Sequence, residues 1–330
     1  MSLSLADLRR ETAATGFSGE MLEKTGRLLG LLEAMRSHPF LGPRVALKGG
    51  TALNLFVFDT PRLSVDIDLN YVGALQREVM VAERPQVDQA VQAVCGREGL
   101  AVRRVPDEHA GGKWRLSYAS ASGGSGNLEL DMNFLLRTPL WPAMRLDSRT
   151  LGSLRARQVP VLDIHELAAG KLAALLSRST SRDLFDACHL LRRDDLVRAR
   201  LRLAFVVYGA ASRVDWRSVS VDDVDVDAAE LRRRLLPTLR VTALPAAGVA
   251  TERWLDELVT ECRDRLSAVL PLSVEEREFV GRLNDRGEIA PGLLGVDAAL
   301  EELIGAHPAL AWKALNVRRH RGLASGSDVV

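Results

Sequence analysis

Two stretches of the chain alternate strictly. Val65, Ile67 and Leu69 alternate with Asp66, Asp68 and Asn70, and Leu128, Leu130, Met132 and Phe134 alternate with Glu129, Asp131 and Asn133. A period of two predicts strands with one apolar and one polar face. Upstream, Arg44 to Lys48 is a short apolar run, Gly49-Gly50 breaks it, and Thr51 to Phe58 resumes with helix-compatible residues, so the pattern is strand, glycine turn, helix. Residues 18 to 37 space Met21, Leu22, Leu28, Leu29, Leu32 and Met35 at helical intervals behind Ser18, a suitable N-cap. Residues 76–97 predict a helix, 100–105 and 113–119 predict strands, and Gly123 to Gly126 a turn. From about residue 160 the period changes to three and four, predicting helices over Asp163 to Ser177, Ser181 to Arg192 and Asp194 to Tyr208. Val214 to Ala250, with its acids, arginines and a Pro/Ala/Gly segment, reads as a stretch containing a surface loop between helical groups. The expected class is α+β, a strand-rich first domain over residues 1–158 followed by a mostly α-helical domain over 159–330.

Composition narrows the class without naming a function. The 330 residues are 47% hydrophobic and 26% charged, which excludes disorder and low-complexity architectures. Lys plus Arg total 44 against 43 acids, a net charge of +1, so any polyanion must meet a local patch. Five of the basic residues are lysine (Lys24, Lys48, Lys113, Lys171 and Lys313) and the rest arginine, which makes each lysine worth inspecting. Cys95, Cys188 and Cys262 have neither metal-ligand spacing nor the even number of a disulfide framework. With no apolar run near the roughly 20 residues of a membrane span and no signal-peptide core, a cytoplasmic protein without membrane contact is expected.

The alternating strands carry the chemistry. Asp66 and Asp68, two apart in a strand, project from one face with Cα atoms roughly 6 to 7 Å apart, close enough to share a divalent cation. Gly49-Gly50-Thr51 permits close backbone approach, and the helix that follows presents unpaired N–H groups to an anion. Asp131, central on the polar face of the second strand, is the third candidate metal ligand, since three carboxylates with substrate phosphates suit magnesium and phosphoryl chemistry. Lys171 falls between Leu167 and Leu175 on the apolar face of its helix, where it must either snorkel or meet an anion. Asp183 follows Thr180 by three, the spacing of a helix cap, and could instead orient Lys171. His165 and His189 lack zinc spacing, and no Ser/His/Asp triad, Walker A loop or dinucleotide fingerprint occurs.

In this order, Leu47-Lys-Gly-Gly-Thr-Ala-Leu-Asn-Leu55, Arg62-Leu-Ser-Val-Asp-Ile-Asp-Leu-Asn70, Leu130-Asp-Met-Asn-Phe134, His165-Glu-Leu-Ala-Ala-Gly-Lys171 and Arg182-Asp-Leu-Phe-Asp186 resemble the AbiEii/AbiGii family of nucleotidyltransferase-like toxins, which includes MenT-like toxins and belongs to the DNA polymerase β-like superfamily. Residues 284–316 resemble that family's C-terminal helical end. The resemblance implies a nucleotidyltransferase-like mixed sheet flanked by helices, with the helical domain completing the active-site cleft. It implies that Gly49, Gly50 and Thr51 form the nucleotide-phosphate turn, with Lys48 and Ser64 close by. Asp66 and Asp68 would bind metal, with Asp131 as the third carboxylate, and Lys171 and Asp183 would be the lysine and acid of the later motifs. Ser64 also matches a regulatory phosphorylation site of some relatives.

The function so implied is transfer of a nucleoside monophosphate from an NTP to an acceptor hydroxyl, with Mg2+, or Mn2+ in its place. The acceptor the family implies is the 3′ end of tRNA, so that translation is blocked, and a cognate antitoxin is the expected protein partner. Arg232 to Arg234, and Lys313 with Arg318, Arg319, His320 and Arg321, are candidate RNA-phosphate contacts. The alternatives are a transferase of the same fold acting on a protein or small-molecule hydroxyl, and a nucleotide-binding regulatory module without turnover.

Overall fold

The computed structural model describes residues 3–105 and 111–322. The chain divides into two compact units, one of residues 1–163 with 229–251, the other of 164–228 with 252–330.

The first unit is a seven-stranded mixed sheet with helices. Its strands are β1 (Val45–Lys48), β2 (Ile67–Tyr71), β3 (Ala101–Val105), β4 (Gly111–Ala119), β5 (Ser125–Asn133), β6 (Met144–Leu146) and β7 (Val159–Val161), in the order β3-β4-β5-β2-β1-β7-β6. β2 pairs antiparallel with β1 and parallel with β5, which puts both alternating strands side by side at the middle of the sheet. Their apolar positions Ile67, Leu69, Leu128, Leu130 and Met132 are buried, and Asp66, Asp68, Glu129 and Asp131 are not, as the alternation predicts. The helices are α1 (Leu5–Thr15), α2 (Gly19–Ser37), a short α3 (Gly49–Ala52) and α4 (Arg77–Arg97). Ser18 caps α2 by accepting from the Met21 amide, and α2 buries Leu22, Leu28, Leu29, Leu31, Leu32 and Met35. α4 closes its side of the sheet through Trp114, buried on β4, whose Nε1 donates to Asp88 Oδ1 at 2.7 Å.

Two features differ from the sequence expectation. The Gly49-Gly50 break is itself the first turn of a helix, because α3 starts at Gly49 and runs into a π-helical turn over Leu53–Val57. Residues 229–251 are not a free surface loop. Leu231 and Leu235 are fully buried, the Leu63 amide donates to the Thr238 carbonyl, and the Arg240 amide donates to the Pro61 carbonyl. Two leucines four apart anchor the segment, and the surrounding charges and Pro/Ala/Gly residues conceal that signal.

The second unit is helical. It comprises α5 (Ile164–Arg178), α6 (Ser181–Leu191), α7 (Arg198–Ala211) and helices Thr251–Leu266, Val274–Arg286, Ala298–Gly305 and Pro308–His320, with shorter turns between. Its core holds Leu172, Leu175, Phe185, Phe205, Trp216, Phe279 and Leu283. His165 Nε2 accepts from the Val197 amide and His189 Nδ1 lies 2.9 Å from the Phe185 carbonyl, so both histidines bind backbone within the helical core. All three cysteines are free and buried. Among the described residues, no helix is long and apolar enough to cross a membrane.

Truncating the Trp114 ring removes a fully buried side chain and its hydrogen bond to Asp88 Oδ1. Trp114→Ala should therefore lower unfolding free energy by about 3 to 5 kcal/mol, measured by urea denaturation followed by circular dichroism.

Candidate functional site

The site in the first unit is assembled by strand register. Lys48 is opposite Asp68 across β1 and β2, and Asp68 is opposite Asp131 across β2 and β5. Asp66 is exposed and immediately precedes β2, on the same side as Asp68, since Ile67 between them is buried. The structure thus brings Lys48, Asp66, Asp68 and Asp131 to one face of the sheet, at its three central strands. Burial pushes the Lys48 ammonium below its ordinary value, while the facing charges of Asp68 and Asp131 push it back up.

The glycine turn stands against this row. Gly49 has φ of +73°, open to glycine at little cost. A Cβ there would lie 2.3 Å from Asp68 Oδ2, so the carboxylate occupies the space a side chain would need. At Gly50 a Cβ would meet Ser64 Oγ at 2.8 Å and Arg62 Nη2 at 2.9 Å. Ser64 and Arg62 are both buried, and Arg62 Nη1 donates to the Leu63 carbonyl. Thr51 is fully buried, and its hydroxyl donates to the Asp66 carbonyl at 2.6 Å and lies 3.3 Å from that of Ser64. Its side chain ties the helix to the segment that carries Asp66.

The donor set fits a hard divalent cation. Asp66 and Asp68 offer carboxylate oxygens on one side of an extended segment, and Gly49 leaves Asp68 the room to present them. Magnesium is commonly held by one or two carboxylates, with substrate phosphates and water filling its octahedron. Asp131 is engaged elsewhere: Lys113 Nζ lies 3.5 Å from its Oδ2 and 2.7 Å from Glu129 Oε2. Among the described residues no three His, Cys, Asp or Glu side chains are already gathered for a metal ion.

Lys171 and Asp183 lie in the second unit. Lys171 does not snorkel, because it is buried on α5 and bound through Nζ to Asp183 Oδ1 and Asp186 Oδ2, each at 2.9 Å. Asp183 meets both sequence expectations at once. The Thr180 hydroxyl accepts from its amide as a cap, while its carboxylate holds Lys171, accepts from Thr180 Oγ1 and pairs with Arg178 Nη2 at 2.9 Å. Burial works to raise its carboxyl, but the charges of Lys171 and Arg178 outweigh it and leave it below the usual value. Asp186, fully buried, is a partner that sequence analysis missed. Its signal was present as the second acid of Arg182-Asp-Leu-Phe-Asp186, one helical turn beyond Asp183.

The basic clusters are mixed in use. Arg232 to Arg234 are exposed between the buried Leu231 and Leu235. Lys313 Nζ donates to the Ser212 carbonyl at 2.6 Å, Arg318 to that of Gly287, and Arg321 lies 3.4 Å from Asp285, whereas Arg319 and His320 face outward.

Comparison with known proteins identifies the family and the fold. The family model described as nucleotidyl transferase AbiEii toxin, type IV toxin–antitoxin system, matches residues 30–260. The chain belongs to the AbiEii nucleotidyltransferase toxin family. Among solved structures it is similar to MenT4, a nucleotidyltransferase toxin from Mycobacterium tuberculosis H37Rv, at 18% identity and a TM-score of 0.55, over 94% of this chain and 99% of that one. It is also similar to JHP933 from Helicobacter pylori, at 17% identity and a TM-score of 0.45, over 77% of this chain and 94% of that one. No curated protein matches by sequence. AbiEii membership brings transferase chemistry, an NTP substrate and an antitoxin partner, and the α+β architecture agrees with the MenT4 fold.

The buried Lys171 group makes an acid-stability prediction. A carboxyl held low in the folded state stabilises fully above its unfolded value, near 3.8, and loses that contribution as pH falls through the lower folded value. Asp183→Asn should cost about 1 to 3 kcal/mol at neutral pH, since Asp186 still neutralises Lys171 while one charged hydrogen bond is lost, and should flatten the loss of stability below pH 4. Urea midpoints measured from pH 2 to 7 check both.

Proposed function

We propose that the chain transfers a nucleoside monophosphate from an NTP to the 3′-terminal hydroxyl of tRNA and thereby blocks translation. The observation that carries this is the fit of the Asp68 carboxylate into the space left by Gly49, in register with Lys48 and Asp131. That arrangement supports reading the glycine turn as phosphate-binding and the adjoining carboxylates as metal-binding, the combination nucleotidyl transfer requires. Family membership supports the reaction class, while the tRNA acceptor follows the family resemblance of the sequence motifs.

Asp66 and Asp68 would hold a divalent cation, Mg2+ or Mn2+, which supplies charge neutralisation to the triphosphate and the attacking oxygen. The acceptor hydroxyl gives up its proton to water as its oxygen bonds to the α-phosphorus, the bond from that phosphorus to the oxygen bridging the β-phosphate breaks, and pyrophosphate leaves. Gly49 and Gly50 let the triphosphate approach backbone N–H groups, and Lys48 adds positive charge beside them. Thr51 holds Asp66 in place through its carbonyl. Lys171 and Asp183 are proposed as required for turnover. Ser64, packed on Gly50, is the position where an added phosphate would crowd the nucleotide turn.

The test incubates the protein with Mg2+, each α-labelled NTP in turn and total tRNA, then resolves the RNA by gel. Label should appear on tRNA with wild type and fall to background with Asp66→Ala/Asp68→Ala. Label on protein or a small hydroxyl compound instead would replace the acceptor, and NTP binding without pyrophosphate release would replace the enzyme with a binding module. If the outward-facing C-terminal residues touch RNA phosphates, Arg319→Glu should weaken tRNA binding and reduce the slope of log K against log salt by about 1, read by filter binding at several salt concentrations.

A further inference from the structure

The cross-strand row does not end at Asp131. Lys113 on β4 is the register partner of Asp131, so Lys48, Asp68, Asp131 and Lys113 lie abreast on four adjacent strands, two carboxylates bracketed by two ammonium groups. Strand spacing makes the row about 14 Å wide. Lys113 Nζ touches Glu129 and Asp131 together, and this contact raises the Lys113 ammonium and lowers the Glu129 carboxyl.

The residue type is informative. Only five of the 44 basic residues are lysine, yet Lys48, Lys113 and Lys171 each stand against a carboxylate of the candidate machinery. Arginine clamps a carboxylate with a planar, two-pronged fork, whereas an ammonium is a compact point charge on a flexible stem. Lys113 and Asp131 are also partly open to solvent, with side chains 38% and 44% exposed, so the contact can be exchanged.

We propose that Lys113 is a positioning residue of the cation site: it neutralises Asp131 and draws it toward Glu129, keeping Asp131 out of the ligand set and the site's affinity for a divalent cation low before nucleotide binds. The proposal rests on Asp66 and Asp68 being the metal-binding pair. Its electrostatics are simple. A unit charge two strand spacings from a divalent cation repels it even through water, and removing that charge while releasing a third carboxylate should tighten binding by about tenfold.

The experiment measures Mn2+ binding to the full chain without nucleotide, by the electron paramagnetic resonance signal of free Mn2+. Lys113→Met should bind Mn2+ about tenfold more tightly than wild type. Lys113→Arg, which keeps the charge, should bind no more tightly than wild type, and adding Asp131→Asn to Lys113→Met should abolish the gain. Arg115 still pairs with Glu129 in these variants, and circular dichroism verifies that each is folded. Equal affinity of wild type and Lys113→Met, with binding still lost in Asp66→Asn/Asp68→Asn, would overturn the role of Lys113 and leave the metal-binding pair standing. Binding that survives Asp66→Asn/Asp68→Asn, or no binding in either wild type or Lys113→Met, would overturn the metal-binding pair and the role of Lys113 with it.

Discussion

The register of β2 between β1 and β5 is the constraint on which the site depends. Ile67 and Leu69 are each 1% exposed, so their place in the core fixes which way every side chain of the strand points. A slip of one residue would turn Asp66 and Asp68 inward and Ile67 and Leu69 outward. Burying two unpaired carboxylates costs several kcal/mol each, and exposing two large aliphatic side chains forfeits about 1.5 to 3 kcal/mol apiece. The force that packs the sheet therefore also aims the acids, and no separate device is needed to hold them on one face. Both neighbours enforce it, since β1 fixes Lys48 against Asp68 and β5 fixes Asp131 against Asp68 from the other side.

A second constraint joins the glycine turn to that strand. The Thr51 hydroxyl reaches the Asp66 carbonyl across 15 positions of sequence, and the Asn54 carboxamide donates to the Gly50 carbonyl from one turn on. The Gly50 carbonyl also accepts from the Leu53 amide, and further along the Phe58 amide bonds the Leu53 carbonyl at i−5 instead of i−4. π-turns of this kind recur at functional sites because they shift the residues after them without breaking the helix. Here hydrogen bonds tie the helix start to the acid-bearing segment.

Much of this was legible in the sequence, for identifiable reasons. β5 alternates cleanly because one face is buried and the other is not, and α4 shows its period for the same reason, whereas β2 also buries Asn70 of its polar face and α2 is buried on most sides, with Leu31 outside the readable period. The capping distance from Thr180 to Asp183 was equally readable. Other elements hid their signals. α1 is marked only by Ser4 and Asp7 as a capping box and Gly16 as a left-handed stop, with little apolar surface between. β6 and β7 are three residues each, too short for a period, and Pro160 inside β7 reads as a breaker. Lys113 was marked in the chain only by the rarity of lysine, with nothing to show its role. Its meaning comes from facing Asp131 across a strand pair, and a local pattern cannot specify which strands become neighbours.

The two charged groups answer to different physics. In the second unit, Lys171 and Arg178 are matched by Asp183 and Asp186, with the lysine and both acids withdrawn from solvent. Desolvation makes such a cluster expensive to disturb and weak as a source of net stability, so its value lies in fixing one arrangement of α5 against α6. In the first unit the carboxylates keep contact with water: Asp66 is exposed, and Asp131 shares its lysine with Glu129. Solvated ion pairs are worth about 0 to 1 kcal/mol, little enough for an incoming cation or phosphate to rearrange them. Geometry is thus fixed where the charges are buried, and partners are exchangeable where they are exposed.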